Sequence, residues 1–241
     1  MDDRILLSDY HFERLISGAG SLRFDLPAFF GAHQLNDQVL SLCKKNGHGR
    51  LARVRLVVFR GSGGLYDAAD HFPNYIIESW PLPAGGGELN SNGLFIDIFP
   101  DGRKSCDLYS NIKTNNFLLY AQAALHAKAN GLNDCLVLNS RERIADSTIA
   151  NLFYCKEHSI FTPPLSEGCV AGVMRRYLLE RLPGAGFTVE ERVTTPGDLE
   201  GAEEIFLTNA IRGLSWVQGF RKAKFGHETS RSVYDTLIKT L

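Results

Sequence analysis

A proline- and glycine-rich break, Pro81-Leu-Pro-Ala-Gly-Gly-Gly87, divides the chain and limits what it can fold into. Proline lacks an amide hydrogen and glycine gives up the most backbone entropy on ordering, so regular structure is disfavoured through such a stretch. The 241 residues suffice for one large core or two modest ones, and the break favours two. The sequence therefore reads as a small N-terminal domain over residues 1–83, a linker over 84–92 and a larger domain over 93–241.

Before the break, helical periodicity surrounds Tyr10-His-Phe-Glu-Arg14-Leu-Ile and recurs over 35–45, where Leu35, Val39, Leu40 and Cys43 share a face and Asn46-Gly47 ends the run. Residues 51–59 alternate as a strand. Arg60-Gly-Ser-Gly-Gly64 then reads as a hairpin turn rather than a phosphate loop, because no helix pattern follows it. A second strand covers 74–80. After the break come a strand over 93–99, an irregular loop, and a helix over 114–129 stopped by Asn130-Gly131. A strand over 135–138, a hairpin of 149–155 with 159–162, and a helix over 173–182 follow. Short strands over 187–191 and 204–208 flank a helical turn near Asp198, and an amphipathic helix from about Ser230 ends the chain. The fold class is α+β.

Several chemistries are disfavoured. A net charge of −1 lacks the cationic excess a nucleic-acid backbone requires. The seven histidines show no metal-ligand spacing, and no Gly-x-Ser-x-Gly elbow occurs, so no metal is expected. Five cysteines, without Cys-x-x-Cys spacing, fit a reducing compartment. No apolar run is long enough to span a membrane and no signal peptide opens the chain, so a cytoplasmic location and no membrane partner are expected.

The candidate chemistry lies between Ser110 and Arg176. Lys113 falls beside polar residues at the predicted start of the 114–129 helix, a site the helix dipole disfavours for a cation. It is either a solvated surface lysine or an amine activated for Schiff-base formation. Downstream stand Ile144-Ala-Asp146-Ser-Thr-Ile-Ala-Asn151-Leu-Phe153, then Thr162-Pro-Pro164, then Gly172-Val-Met-Arg175. In that order and spacing the pieces resemble the fold-type IV family of pyridoxal-phosphate enzymes, which holds branched-chain and D-amino-acid aminotransferases and aminodeoxychorismate lyases. The resemblance covers residues 10–220. It implies a two-domain architecture like that of D-amino-acid aminotransferase, with a small N-terminal α/β domain and a larger domain built on a β-barrel-like sheet with helices.

The resemblance also implies roles. Lys113 would carry the cofactor as a Schiff base and then shuttle the proton at the substrate carbon. Asp146, where most relatives have Glu, would keep the pyridine nitrogen protonated; the alternative is an acid at a strand edge. Arg14, in His11-Phe-Glu-Arg14-Leu15, resembles the family's phosphate-binding arginine, although by itself it reads as a surface helix residue. Gly172, Val173 and Met174 at a helix start would offer backbone N–H groups to the phosphate, and the turn of Asn209, Ala210 and Ile211 would form its second wall. Arg53, Arg55 and Arg103 are candidates for gripping substrate carboxylates.

Details favour the lyase that splits 4-amino-4-deoxychorismate into p-aminobenzoate and pyruvate, in folate biosynthesis. Five residues after the lysine, branched-chain aminotransferases carry a tyrosine that bonds the cofactor hydroxyl; here Leu118 stands there, as leucine does in lyases and D-amino-acid aminotransferases alike. Arg60–Gly64 and Asn209-Ala210 are similar to lyase segments. A branched-chain or D-amino-acid aminotransferase, or a non-catalytic relative, are the alternatives. The family's usual opening strand and Gly-x-Gly-x-Phe-Glu-Thr-x-Arg segment have no counterpart before Met1-Asp-Asp-Arg-Ile-Leu-Leu, so the first domain reads as incomplete. Either the sequence is truncated or started late, or the loss is natural, and a natural loss predicts unpaired strand edges and an open pocket. The resemblance also implies a homodimer acting on a small-molecule substrate.

Overall fold

The computed structural model of the protein describes residues 4–48, 51–63, 70–83 and 87–241. Met1 to Asp3, Gly64 of the first glycine turn and positions 84–86 of the linker lie outside the described residues. The chain forms two compact units, Met1–Gly86 and Gly87–Leu241.

In the first unit, helices α1 (Ser8–Ser21) and α2 (Ala32–Lys45) accompany an antiparallel pair, β1 (Ala52–Phe59) and β2 (Asn74–Pro81), in register from Ala52 opposite Pro81 to Phe59 opposite Asn74. Phe12, Phe30 and Leu35 form its core, with Leu56, Val58 and Tyr75 packed against them. The apolar spacing that identified α2 puts Leu35, Val39 and Cys43 on its buried side. Tyr75 lays its ring edge-on to Phe30 and donates its hydroxyl to Gln38 Oε1 at 2.9 Å, so its polar tip is satisfied.

The second unit is built on one curled, nine-stranded half-barrel sheet. Its strands are β3 (Leu94–Lys104), β4 (Asp134–Asn139), β5 (Ile144–Ser147), β6 (Asn151–Lys156), β7 (Ser159–Thr162), β8 (Thr188–Glu191), β9 (Glu204–Asn209), β10 (Gly213–Phe220) and β11 (Ala223–Lys224). Their order is β5-β4-β3-β10-β9-β6-β7-β8, with β11 beside β10. Helices α3 (Leu118–Ala129), α4 (Val173–Arg181), α5 (Pro196–Glu200) and α6 (Glu228–Val233) join the strands. Ile96, Leu136, Leu152, Ile205, Val217 and Phe220 anchor the core, and the rings of Phe153 and Phe206 stack at 5.2 Å.

Four sequence-based expectations are corrected here. Strand β3 does not stop at Phe99: Pro100-Asp-Gly is absorbed by an irregularity between Ile98 and Arg103, and the strand resumes with Lys104 opposite Asn139. Helix α3 begins at Leu118 rather than Thr114, because Thr114 Oγ1 instead accepts the Asn116 N–H at 3.3 Å in a local turn. Strands β5 and β10 escaped the sequence reading. Nearly all residues of both are buried, so neither shows the alternation that marks a half-exposed strand. The terminal helix is short: α6 gives way to a π-helical turn over Tyr234–Ile238. The Glu204 carboxylate meets the start of α6, accepting the Thr229 and Ser230 N–H groups at 2.7 and 2.8 Å.

Candidate active site

Asp146 is the centre of the candidate site. It lies on β5 opposite Val137 of β4 and is 2% exposed. Oδ2 accepts the Val170 N–H at 2.8 Å and the Lys104 ammonium at 3.2 Å, and the Tyr120 hydroxyl stands 3.0 Å from both carboxylate oxygens. Lys104 also donates to the Tyr120 oxygen. Each partner is delivered by packing. Lys104 ends β3, two strands from β5 in the sheet, and Tyr120 lies in the first turn of α3, against Phe99, Cys135 and Val137. Burial raises the Asp146 pKa, against the opposing pull of the Lys104 charge, the Val170 N–H and the Tyr120 hydroxyl. Burial and the neighbouring Asp146 charge push the Tyr120 phenol upward, so it remains a donor.

The segment from Cys169 to Gly172 ties the other parts to this acid. While the Val170 N–H reaches Asp146, the Val170 carbonyl accepts Asn151 Nδ2 at 2.9 Å. Asn111 grips the same segment from the loop after β3. Its side chain donates to the Leu165 and Cys169 carbonyls at 2.8 and 2.7 Å, and its own carbonyl accepts the Ala171 N–H at 2.9 Å. Two residues beyond Asn111 is Lys113, exposed and outside any helix. The helix-dipole argument for this lysine therefore falls. What places it is a loop pinned by Asn111 and folded around Asp107, whose carboxylate accepts the Tyr109 N–H and the Ser110 hydroxyl.

A seat for an anion lies at the start of α4. Gly172 precedes the helix in extended backbone, and the first helical bond runs from Arg176 N–H to the Gly172 carbonyl. Helix geometry leaves the N–H groups of Val173, Met174 and Arg175 without intrahelical partners. A Cβ on Gly172 would overlap Asn151 Oδ1, so only glycine allows this approach. Across the sheet, Thr208 pairs with Asn151. Its hydroxyl is buried and has no hydrogen-bond partner among the described residues. Asn209 Oδ1 accepts the N–H groups of Ile211 and Arg212 at 2.9 and 2.8 Å. The turn of Asn209, Ala210 and Ile211 is therefore closed by its own side chain, with the Ile211 N–H engaged. The unpartnered Thr208 hydroxyl, absent from the sequence-based candidates, stands beside it.

Two of the three proposed carboxylate-gripping arginines are already paired with acids. Arg103 donates to both oxygens of Glu142 at 2.6 and 2.9 Å and to the Pro100 and Gly102 carbonyls, so its guanidinium is already engaged. Arg53 and Arg55 lie in the first unit, stacked near the Trp80 ring, and Arg55 is paired with Glu78. Arg14 is on α1, one turn after His11. Burial, reinforced by the Arg14 charge, lowers the His11 pKa to about 4. Lys104 was missed because the residues after 99 read as an irregular loop, which hid the strand that carries it into the sheet.

These residues suit pyridoxal phosphate. A buried acid can face a ring nitrogen, helix N–H groups and an orphan hydroxyl can receive a phosphate, and a lysine lies on the loop that Asn111 pins to the segment before α4. Comparison with known proteins agrees. The chain matches Amino-transferase class IV over residues 1–219. It is 27% identical to the aminodeoxychorismate lyase of Vibrio harveyi over 211 residues, 87% of this chain and 76% of that protein. It is equally 27% identical to a putative branched-chain-amino-acid aminotransferase of Methanocaldococcus jannaschii over 210 residues, 86% of this chain and 71% of the other. In fold it is similar to a putative 4-amino-4-deoxychorismate lyase from Legionella pneumophila, with TM-score 0.85, 20% identity, and coverage of 97% and 85% of the two chains. A branched-chain aminotransferase from Thermoproteus uzoniensis gives TM-score 0.86 at 20% identity, covering 96% and 77%. No helix among the described residues is long and apolar enough to cross a membrane. The chain belongs to the class IV aminotransferase family, whose members are pyridoxal-phosphate-dependent aminotransferases and lyases.

Proposed function

We propose that the protein is a lyase that converts 4-amino-4-deoxychorismate into p-aminobenzoate and pyruvate. The observation that carries this reading is the fate of the hydroxyl groups on α3. Leu118 opens that helix where branched-chain aminotransferases carry a tyrosine, and Tyr120 gives its hydroxyl to Asp146. No α3 hydroxyl is then available for the cofactor's own hydroxyl, as suits the lyase branch. The Vibrio harveyi lyase shows that this reaction occurs among the chain's relatives.

Bound pyridoxal phosphate supplies an aldehyde for the substrate amine and a ring that withdraws electrons from the adjacent carbon. Lys113 would hold the aldehyde and, once the substrate amine has displaced it, would take the proton from the substrate carbon bearing nitrogen. The C–O bond to the side chain then breaks, the six-membered ring becomes aromatic, and the departing enol takes up a proton to become pyruvate. Asp146 keeps the ring nitrogen protonated. The α4 N–H groups of Val173 and Met174, the Thr208 hydroxyl and the turn at Asn209-Ala210 would receive the phosphate.

A second reading, amino transfer to a 2-oxo acid, is favoured by the branched-chain aminotransferases among the relatives. The test supplies aminodeoxychorismate and, separately, an amino acid with 2-oxoglutarate. Stoichiometric pyruvate and p-aminobenzoate support the lyase, and amino transfer without them rejects it. Borohydride reduction of the yellow protein followed by peptide mapping should place the pyridoxyl group on Lys113. Labelling of another lysine overturns its role.

A further inference from the structure

The candidate site contains a second lysine that the reaction above does not use. Lys104 has a side chain only 10% exposed, 3.2 Å from Asp146 Oδ2, with Tyr120 hydrogen-bonded to both. Its position excludes it as the cofactor-bearing amine while Asp146 serves the ring nitrogen. The aldehyde carbon and the nitrogen lie on opposite sides of the pyridine ring, whereas Lys104 touches the acid directly. A buried ammonium so placed neutralises a carboxylate that burial would otherwise protonate.

We propose that Lys104 is a positioning residue for the cofactor: through direct contact and through the Tyr120 hydroxyl it keeps Asp146 anionic and fixes Oδ2, leaving Oδ1 to face the ring nitrogen. Oδ2 already holds the Val170 N–H and Lys104, whereas among the described residues Oδ1 is reached only by the Tyr120 hydroxyl. The titratable groups around the acid are Lys104 from β3, Tyr120 from α3, and Cys169 from the segment before α4. Burial holds the Cys169 thiol at about 11, and Tyr120 is pushed further up. Neither becomes an anion near neutrality, so among the described residues Lys104 is the one charge facing Asp146 there. Sequence alone would file Lys104 with Arg103 as a solvated pair, yet Arg103 pairs with Glu142 and Lys104 turns to the opposite face of the strand.

This inference rests on the assignment of Asp146 to the ring nitrogen, and the experiment separates the two. Affinity for pyridoxal 5′-phosphate is measured by absorbance and fluorescence at pH 6 and pH 9 for the parent, Lys104→Met, Lys104→Arg, Asp146→Asn and the Lys104→Met/Asp146→Asn pair. Without Lys104 the pull that opposes burial is lost, so the Asp146 pKa rises further. Lys104→Met should then bind at least tenfold more weakly than the parent at pH 6 and regain most of that loss at pH 9. Lys104→Arg, which keeps the charge, should stay within threefold of the parent at both pH values. The double variant should match Asp146→Asn. Lys104→Met that binds like the parent at both pH values overturns the proposal, as does a double variant a further tenfold weaker than Asp146→Asn. Should Lys104→Met fail to fold, the charge-balanced double variant and Lys104→Arg still decide the matter. Parent-like affinity and spectrum in Asp146→Asn would instead overturn the assignment of Asp146 itself.

Discussion

Gly172→Ala gives the sharpest test of how the anion seat is built. Gly172 has φ −70° and ψ 137°, a conformation open to any residue, so the substitution carries no backbone penalty. Its cost is steric, since the new methyl overlaps Asn151 Oδ1. Either the helix start withdraws or the Asn151 amide rotates and gives up its 2.9 Å bond to the Val170 carbonyl. Overpacking costs ~1–3 kcal/mol and a lost hydrogen bond ~1 kcal/mol, so Gly172→Ala should destabilise the second unit by about 3 kcal/mol. Asn151→Ala removes the obstacle and the bond together, for about 1–2 kcal/mol. With Asn151 gone, the Gly172 methyl meets no clash. The double variant should therefore be no less stable than Asn151→Ala, a coupling of about 2–3 kcal/mol. Urea denaturation followed by the fluorescence of buried Trp216, with Trp80 replaced by Phe, reads this unit. Costs that add to within about 0.5 kcal/mol would refute the steric account.

Three further outcomes are expected. Thr208→Val removes an orphan hydroxyl, so the cofactor-free protein should gain about 1 kcal/mol while affinity for pyridoxal phosphate falls; denaturation and cofactor titration together check this. Asn111→Ala loses two side-chain bonds and should cost about 2 kcal/mol, with weaker cofactor binding, since the Lys113 loop loses its hold on residues 165–171. His11 is held neutral down to about pH 4, whereas unfolding restores its ordinary value of 6.5. The unfolded chain binds the extra proton between these values, so the His11 contribution is intact above pH 6.5 and is lost as pH falls toward 4. Denaturation midpoints across that window should show the slope, and His11→Gln should flatten it.

What the sequence disclosed, and what it hid, follows from how local each feature is. Asp146 and Asn151 were legible because they sit five residues apart at one bend of the sheet, a separation that cannot vary much. Gly172 was legible because it meets a helix start, and α2 because one face of it is buried. Strand β10 was hidden because burial on both sides removes alternation. Lys104 was hidden because the chain bulges at Pro100-Asp-Gly, and whether a bulge ends a strand depends on a partner strand more than thirty residues away. The start of α3 was misplaced because Thr114 and Asn116 bond each other, a local competition that composition does not reveal. The Thr208 hydroxyl could not be singled out at all, since its lack of a partner is a property of the folded packing.

The Cys169–Gly172 segment has a consequence for how such a protein can change. It holds Asp146 and Asn151 through the backbone of Val170, and the Lys113 loop through Asn111. All three contacts use main-chain atoms of residues 169–171, which no side-chain exchange there short of proline at 170 would remove. A family that keeps this strut can exchange the side chains that meet the substrate without dismantling its cofactor seat. Diversification is thereby confined to the parts that choose between elimination and amino transfer, and chemistry of both kinds becomes reachable from one scaffold by small steps.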